Sequence, residues 1–191
     1  MNQEKVDKLA ERIFNETNSA LSCLTLYLGH KLNLFNTLKE SGPVTSSELS
    51  GKTKYSERYL REWLECMAVN GYLEHDSSTT KFSITEEHTA VLCDRNNIAY
   101  AIPFVYWVPS LSSAMDKLLE AFRTGEGVPY TLYGTNMLFA QGEGNRPMFI
   151  NNIAKWVSSM PDIESKLNAG PEGFEPSTCC SASSHSIQAE L

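Results

Sequence analysis

Apolar positions recur every three or four residues from the start of the chain: Val6, Leu9, Ala10, Ile13 and Phe14, then Ala20, Leu21, Leu24, Tyr27 and Leu28. That spacing predicts helices over residues 3–15 and 17–30. The second stripe has apolar residues on more than one side (Cys23, Leu26), which predicts cover on both of its faces. A third, short helix is expected over 32–38, ended by Ser41-Gly42-Pro43. Thr45 with Glu48 three residues on is a capping-box pattern, predicting a short helix over 46–51 closed by Gly51. Ser56 repeats the device ahead of Tyr59, Leu60, Trp63, Leu64, Met67 and Ala68, and Gly71 ends that longer helix. The pattern then shortens to strand-like runs, Tyr72-Leu73-Glu74 and Lys81-Phe82-Ser83-Ile84, around a polar turn at residues 76–80. Helix, turn, longer helix and hairpin, in that order, are the parts of a winged helix-turn-helix.

Beyond the hairpin, Glu86–Leu92 can make one or two helical turns, and residues 97–106 are strongly apolar and aromatic. Pro109 is expected to open a helix over 110–123, with Leu111, Ala114, Met115, Leu118, Leu119 and Phe122 on one face and Gly125 and Gly127 stopping it. Residues 129–134 read as a turn-rich loop and 136–141 as a short helix. Asn145-Arg146-Pro147 then introduces a last helix through Met148, Ile150, Ile153, Trp156, Val157 and Met160. The predicted fold is therefore mainly α, a winged helix-turn-helix with a small β-hairpin wing. It divides into N-terminal helices (1–40), the winged helix (41–93), a helical region (94–170) and a tail (171–191). The tail has few apolar residues and no period, which predicts disorder.

Composition adds limits. At 191 residues, 41% hydrophobic and 20% charged, this is the make-up of a soluble globular protein. No signal peptide and no apolar run of spanning length is evident, so no membrane partner and a cytoplasmic location are expected. The five cysteines (Cys23, Cys66, Cys93, Cys179, Cys180) are odd in number and form no CxxC, as befits small core hydrophobes in a reducing compartment. His30, His75, His88 and His185 are scattered without ligand spacing, so no metal site is expected. Net charge is −7. Between residues 43 and 75, Lys52, Lys54, Arg58 and Arg61 face Glu48, Glu57, Glu62, Glu65 and Glu74. A helix that reads DNA normally offers phosphates a basic face, so nucleic acid is not the expected partner. Should the chain instead be a transcriptional regulator, those four cations are its DNA-facing residues.

The segments GHKLNLFNTL (29–38), VTSSEL (44–49) and ERYLREWLECMAVNGYL (57–73), with Phe82-Ser83-Ile84-Thr85, carry a resemblance. In this order they resemble the N-terminal half of a class I S-adenosylmethionine-dependent methyltransferase that begins with a winged-helix dimerisation domain. Residues 129–134, Asn145-Arg146-Pro147 and the Trp156 helix look like the helical linker of such enzymes, so the resemblance runs over residues 3–170. It implies a homodimer, or pairing with an intact relative, and a module that encloses substrate. The substrate-facing candidates are Tyr100, Tyr106, Trp107, Tyr130, Tyr133, Asn145 and Arg146.

In such enzymes a strand and a turn of the form Asp-x-Gly-x-Gly-x-Gly come next, their backbone amides approaching the cofactor. Here Ala169-Gly170 is followed by PEGFEPSTCCSASSHSIQAEL, with Gly173 the one glycine and no apolar strand before it. No catalytic and no cofactor-binding residue carries over, and S-adenosylmethionine is expected only in full-length relatives. The expectation is a truncated methyltransferase-like chain without catalysis; the alternative is the winged-helix regulator. The tail suggests an origin. Gly173-Phe174-Glu175-Pro176 and Gln188-Ala189-Glu190-Leu191 can be encoded by the reverse complements of tRNA T-arm and D-arm sequences, as if the frame ran into an antisense tRNA gene.

Overall fold

The structure is a computed structural model and describes residues 1–168. The expectations for the tail, disorder and a tRNA-gene origin, lie outside the described residues. Two compact units divide the chain, Met1–Met148 and the residues from Phe149 onward.

The two N-terminal stripes form one helix, α1 (Gln3–Lys31), of 29 residues. It runs unbroken through its polar middle, where Thr17 and Ser19 donate their hydroxyls back to the carbonyls of Ile13 and Asn15, each at 2.9 Å. Asn2 caps the start by accepting from the Lys5 amide. Next come α2 (Leu34–Ser41) and α3 (Ser46–Thr53). The predicted capping box is present: Thr45 Oγ1 accepts from the Glu48 amide at 3.2 Å, and Glu48 accepts from the Thr45 amide at 2.8 Å. Gly51 does not close α3. The helix runs on to Thr53, whose hydroxyl bonds back to the Leu49 carbonyl, and Lys54 turns the chain at φ 64°.

The longer helix, α4 (Glu57–Val69), starts without a side-chain bond from Ser56. Glu57 instead accepts from the Ser46 hydroxyl at 2.7 Å, tying the starts of α3 and α4 together. The wing is β1 (Glu74–Asp76) against β2 (Lys81–Ser83), antiparallel, with His75 opposite Phe82. Val44 adds a bridge to Phe82 through bonds of 3.0 and 2.8 Å that the sequence pattern does not reveal. At the wing tip Asp76 accepts from the Ser78 amide and the Ser78 and Thr79 hydroxyls, which hold its carboxyl down at about 2.

Thr85 caps α5 (Glu86–Leu92), its hydroxyl oxygen accepting from the His88 amide. The helix expected over 110–123 is instead α7 (Trp107–Ser113) and α8 (Met115–Thr124), preceded by the short α6 (Ile102–Val105). Pro109 does not open α7; it sits third, still in the first turn, where its missing N–H leaves no bond unmade. Residues Tyr130–Tyr133 form a 3-10 turn. The expected break near residue 145 is also absent: α9 (Gly134–Ser158) runs through Gly142, Gly144 and Pro147. An internal proline costs about 3 kcal/mol. Burial of Pro147 and ion pairing by Glu143 on the same helix oppose that cost. In the second unit Phe149 meets Trp156 edge-on at 5.9 Å, and α10 (Pro161–Asn168) follows.

The core of the first unit is the winged helix: Leu34, Phe35, Leu38, Leu49, Leu60, Leu64, Met67 and Phe82 are all buried. The last third of α1 packs onto it. Trp63 donates its indole N–H to the Thr25 carbonyl at 3.0 Å, and Gly29 lets the helices close. A Cβ on Gly29 would lie 2.4 Å from Trp63 Cζ2 and 2.8 Å from Phe35 Cε2. By contrast, none of residues 1–21 is buried. Gly29→Ala should therefore destabilise the fold by about 1–3 kcal/mol through overpacking. A fall in the urea midpoint at unchanged m would show it, and an unchanged midpoint would refute it.

Candidate functional site

The last turn of α1 carries His30, with Tyr27 one turn earlier on the same side. Tyr106, at the end of α6, and Tyr100, just before that helix, meet His30. Its Nδ1 lies 2.6 Å from the Tyr106 hydroxyl and its Nε2 lies 3.4 Å from that of Tyr100. Both tyrosines are buried, at 1% and 3% exposure, so their hydroxyls depend on His30 rather than on water. From α9, Asn136 donates to the Tyr27 hydroxyl at 3.1 Å and Phe139 lies against the Tyr106 ring at 4.4 Å. Tyr27 meets Tyr106 edge-on at 4.7 Å, and Lys31 Nζ sits 5.3 Å from the Tyr106 ring centre.

Beside this aromatic cluster Arg95 donates two hydrogen bonds to the Glu143 carboxylate, and Arg146 Nε donates to Asn96 Oδ1 at 3.1 Å. Burial first, then the positive charges of Lys31 and Arg95, lower the pKa of His30 below its ordinary value. Burial, reinforced by Glu143, pushes Tyr100 up to about 12, and burial raises Tyr106 further. The bond from Arg95 holds Glu143 below the usual carboxylate range. At neutral pH the centre is thus a neutral imidazole between two neutral phenols, flanked by one closed ion pair. It can position helices and relay hydrogen bonds; it presents no activated nucleophile.

Of the aromatic residues singled out in the sequence, Tyr100 and Tyr106 are brought together here, with Arg146 at the edge. Trp107 is partly exposed and packs edge-on against Phe104 at 5.3 Å. Tyr130 and Tyr133 form a separate pair at 5.9 Å, and Asn145 is exposed. Sequence reasoning missed His30, Tyr27, Asn136, Phe139, Arg95 and Glu143. For His30 and Tyr27 a signal existed, a histidine one turn after a tyrosine in an apolar stripe. Arg95 and Glu143 stand 48 residues apart, and no local pattern joins them.

The four cations of the winged helix lie on two helices and the turn between them. Lys52 is in the last turn of α3, Lys54 turns the chain after it, and Arg58 and Arg61 are on α4. A groove of about 720 Å³ runs between the start of α3, α4 and the wing. It is lined by Glu57, Arg61, Glu65, His75 and Phe82 among others, so one guanidinium faces two carboxylates. Arg61 lies 3.9 Å from Glu57. Among the described residues no cluster of His, Cys, Asp or Glu could hold a metal, and no helix is long and apolar enough to cross a membrane. The one sheet among the described residues is an antiparallel hairpin with no glycine in its turn, and no strand among them feeds a glycine-rich turn into a helix.

These features define a winged helix-turn-helix with a long N-terminal helix docked on its core and a helical extension behind the wing. Residues 20–94 match the family described as the Rv2258c-like winged HTH domain. Among curated proteins none matches the chain. Solved structures share its fold. Mitomycin 7-O-methyltransferase MmcR is 18% identical with a TM-score of 0.57, over 80% of this chain and 47% of that one. N,N-8-amino-8-demethyl-D-riboflavin dimethyltransferase RosA from Streptomyces davawensis is 20% identical with a TM-score of 0.56, over 76% and 45%. CalO1, a methyltransferase in calicheamicin biosynthesis solved in its SAH-bound form, is 15% identical with a TM-score of 0.50, over 81% and 47%. The matches fall on the N-terminal part of such methyltransferases. This chain spans a little under half the length of the solved structures it matches.

His30 gives the site a measurable pH signature. A folded pKa below the unfolded value means that the unfolded chain binds the proton more readily. The stabilisation is then complete above the unfolded value, about 6.5, and is lost as pH falls below it toward the folded pKa. Urea midpoints should drop between pH 7.5 and 5.5, and His30→Gln should flatten that drop. Equal slopes for the two proteins would contradict the assignment.

Proposed function

We propose that the described residues serve as the association and substrate-enclosing module of an S-adenosylmethionine-type methyltransferase, and that this module transfers no methyl group by itself. One observation carries the reading: α1 leaves a long apolar stripe uncovered. Leu9, Ile13, Phe14, Leu21 and Leu28 are 48–66% exposed. Val6, Ala10, Ile13, Thr17, Ala20 and Leu24 follow the alternating four- and three-residue spacing of a helix–helix seam. A contiguous apolar stripe on an otherwise charged helix favours a helical partner. A second copy of this chain supplies a matching stripe, as would an intact relative with the same helix. The fold shared with the N-terminal parts of methyltransferases supports the substrate-enclosing half of the reading. Tyr130, Tyr133, Trp107 and Asn145 are the accessible residues through which the helical region would meet a substrate. The unpaired thiols Cys23, Cys66 and Cys93 support a cytoplasmic setting.

Sedimentation of the 191-residue chain should give a dimer, and Ile13→Glu with Phe14→Glu should give a monomer that keeps its helical circular dichroism. A wild-type monomer at tens of micromolar would sink the association reading. Titration with S-adenosylmethionine should produce no saturable heat; saturable binding would overturn the non-catalytic part. The regulator reading retains the order of a winged helix but has two carboxylates beside Arg61 in its groove. Accordingly, Arg58→Ala with Arg61→Ala should leave duplex-DNA affinity at low salt unchanged, and a drop with a shallower salt slope would favour the regulator instead.

A further inference from the structure

We propose that the cavity between α1, α5 and α6 binds a neutral, largely apolar small molecule of one or two rings carrying a single hydroxyl. The proposal does not rest on the association reading. The cavity measures about 290 Å³ and is walled by Leu26, Tyr72, His88, Val91, Ile102 and Val105, with Leu92 and Ala101 completing it. It lies wholly within the first unit. It opens to solvent on one side, where Tyr72, His88, Val91 and Ala101 are partly exposed, so a guest of matching size would remove apolar wall from water. Apolar walls favour an apolar guest, and an enclosed cavity of about 150 Å³ already accepts benzene. Nearly twice that volume suits two fused rings.

Charge and hydrogen bonding narrow the ligand. Neither a carboxylate nor a lysine or arginine lines the cavity, so a charged guest would lose its hydration without compensation. One polar group is unmatched. His88 Nδ1 is buried and has no hydrogen-bond partner. Depending on the tautomer this nitrogen needs a donor or an acceptor, and a hydroxyl is the small group that can be either. Satisfying a buried, orphaned polar atom is worth more than adding a bond at the surface.

A second copy packed along the α1 stripe would not fill this space. Leu26 is two residues from both Leu24 and Leu28, and at 100° per residue it points about 160° away from them. The helix uses one side for the stripe and the other for the cavity wall.

The test is titration of the isotope-labelled full chain with naphthalene and with 2-naphthol, followed by amide and methyl NMR. Saturable shifts confined to Leu26, Val91, Ala101, Ile102 and Val105 are expected for both probes. His88→Phe should weaken 2-naphthol about tenfold, the equivalent of about 1.4 kcal/mol, and leave naphthalene within about twofold. Ala101→Leu and Val91→Phe, two independent ways to fill the space, should each abolish binding. No saturable shift in the wild type overturns the proposal even if neither filled variant folds. So do shifts located on the α1 stripe or on α8. If the lining residues shift with protein concentration and not with probe, the cavity is a seat for another chain and the proposal fails. Equal weakening of both probes by His88→Phe removes the hydroxyl from the ligand's description.

Discussion

The arrangement depends on how closely α1 approaches α4. At Gly29 the missing side chain leaves room for the edges of Trp63 and Phe35, and the indole N–H of Trp63 reaches the Thr25 carbonyl one turn back. This contact fixes the last third of α1 on the winged-helix core. Everything built on that helix inherits its position. His30 follows Gly29 directly, so the same contact sets where the imidazole meets Tyr100 and Tyr106. Leu26, on the docked third of the helix, becomes a wall of the apolar cavity. The unattached two-thirds of α1 projects its stripe in a direction decided at its root.

Inside the winged helix, local chemistry and tertiary packing agree. Thr45 with Glu48 and the shortened period around the wing are signals that act over a few residues; the structure contains the capping box and the hairpin, with the first arm shifted from 72–74 to Glu74–Asp76. Where the reading of the pattern departs from the fold, a longer-range contact or a position-dependent rule decides. Gly51 is a competent helix stop, but the chain turns at Lys54, after Thr53 has bonded back to Leu49. The pattern makes Pro109 and Pro147 both helix openings. One lies in a first turn where a proline is harmless, and the other lies inside a helix held by Arg95 and Glu143.

The candidate site is less legible than the fold for a simple reason. Tyr100 and Tyr106 stand out in sequence because they are aromatic, but what they do depends on His30, seventy residues earlier, and on Asn136 and Phe139, thirty residues later. No period or spacing announces such a meeting. The acidity of α4, by contrast, is countable from the sequence, and the groove beside it holds Arg61 paired with Glu57 and is also lined by Glu65.

The division of α1 into a docked root and a free blade has a consequence for how the blade stays ordered. An isolated helix must first form a costly nucleus before each added residue becomes favourable. Here the root is that nucleus, formed as part of the core, so helix spreads outward toward Asn2 by propagation alone. Lys8 with Glu4 and Arg12 with Glu16 add small i,i+4 increments along the way. Order in the blade is therefore borrowed from the body and should fade toward the N-terminus, so that whatever binds the stripe meets a helix already most of the way made.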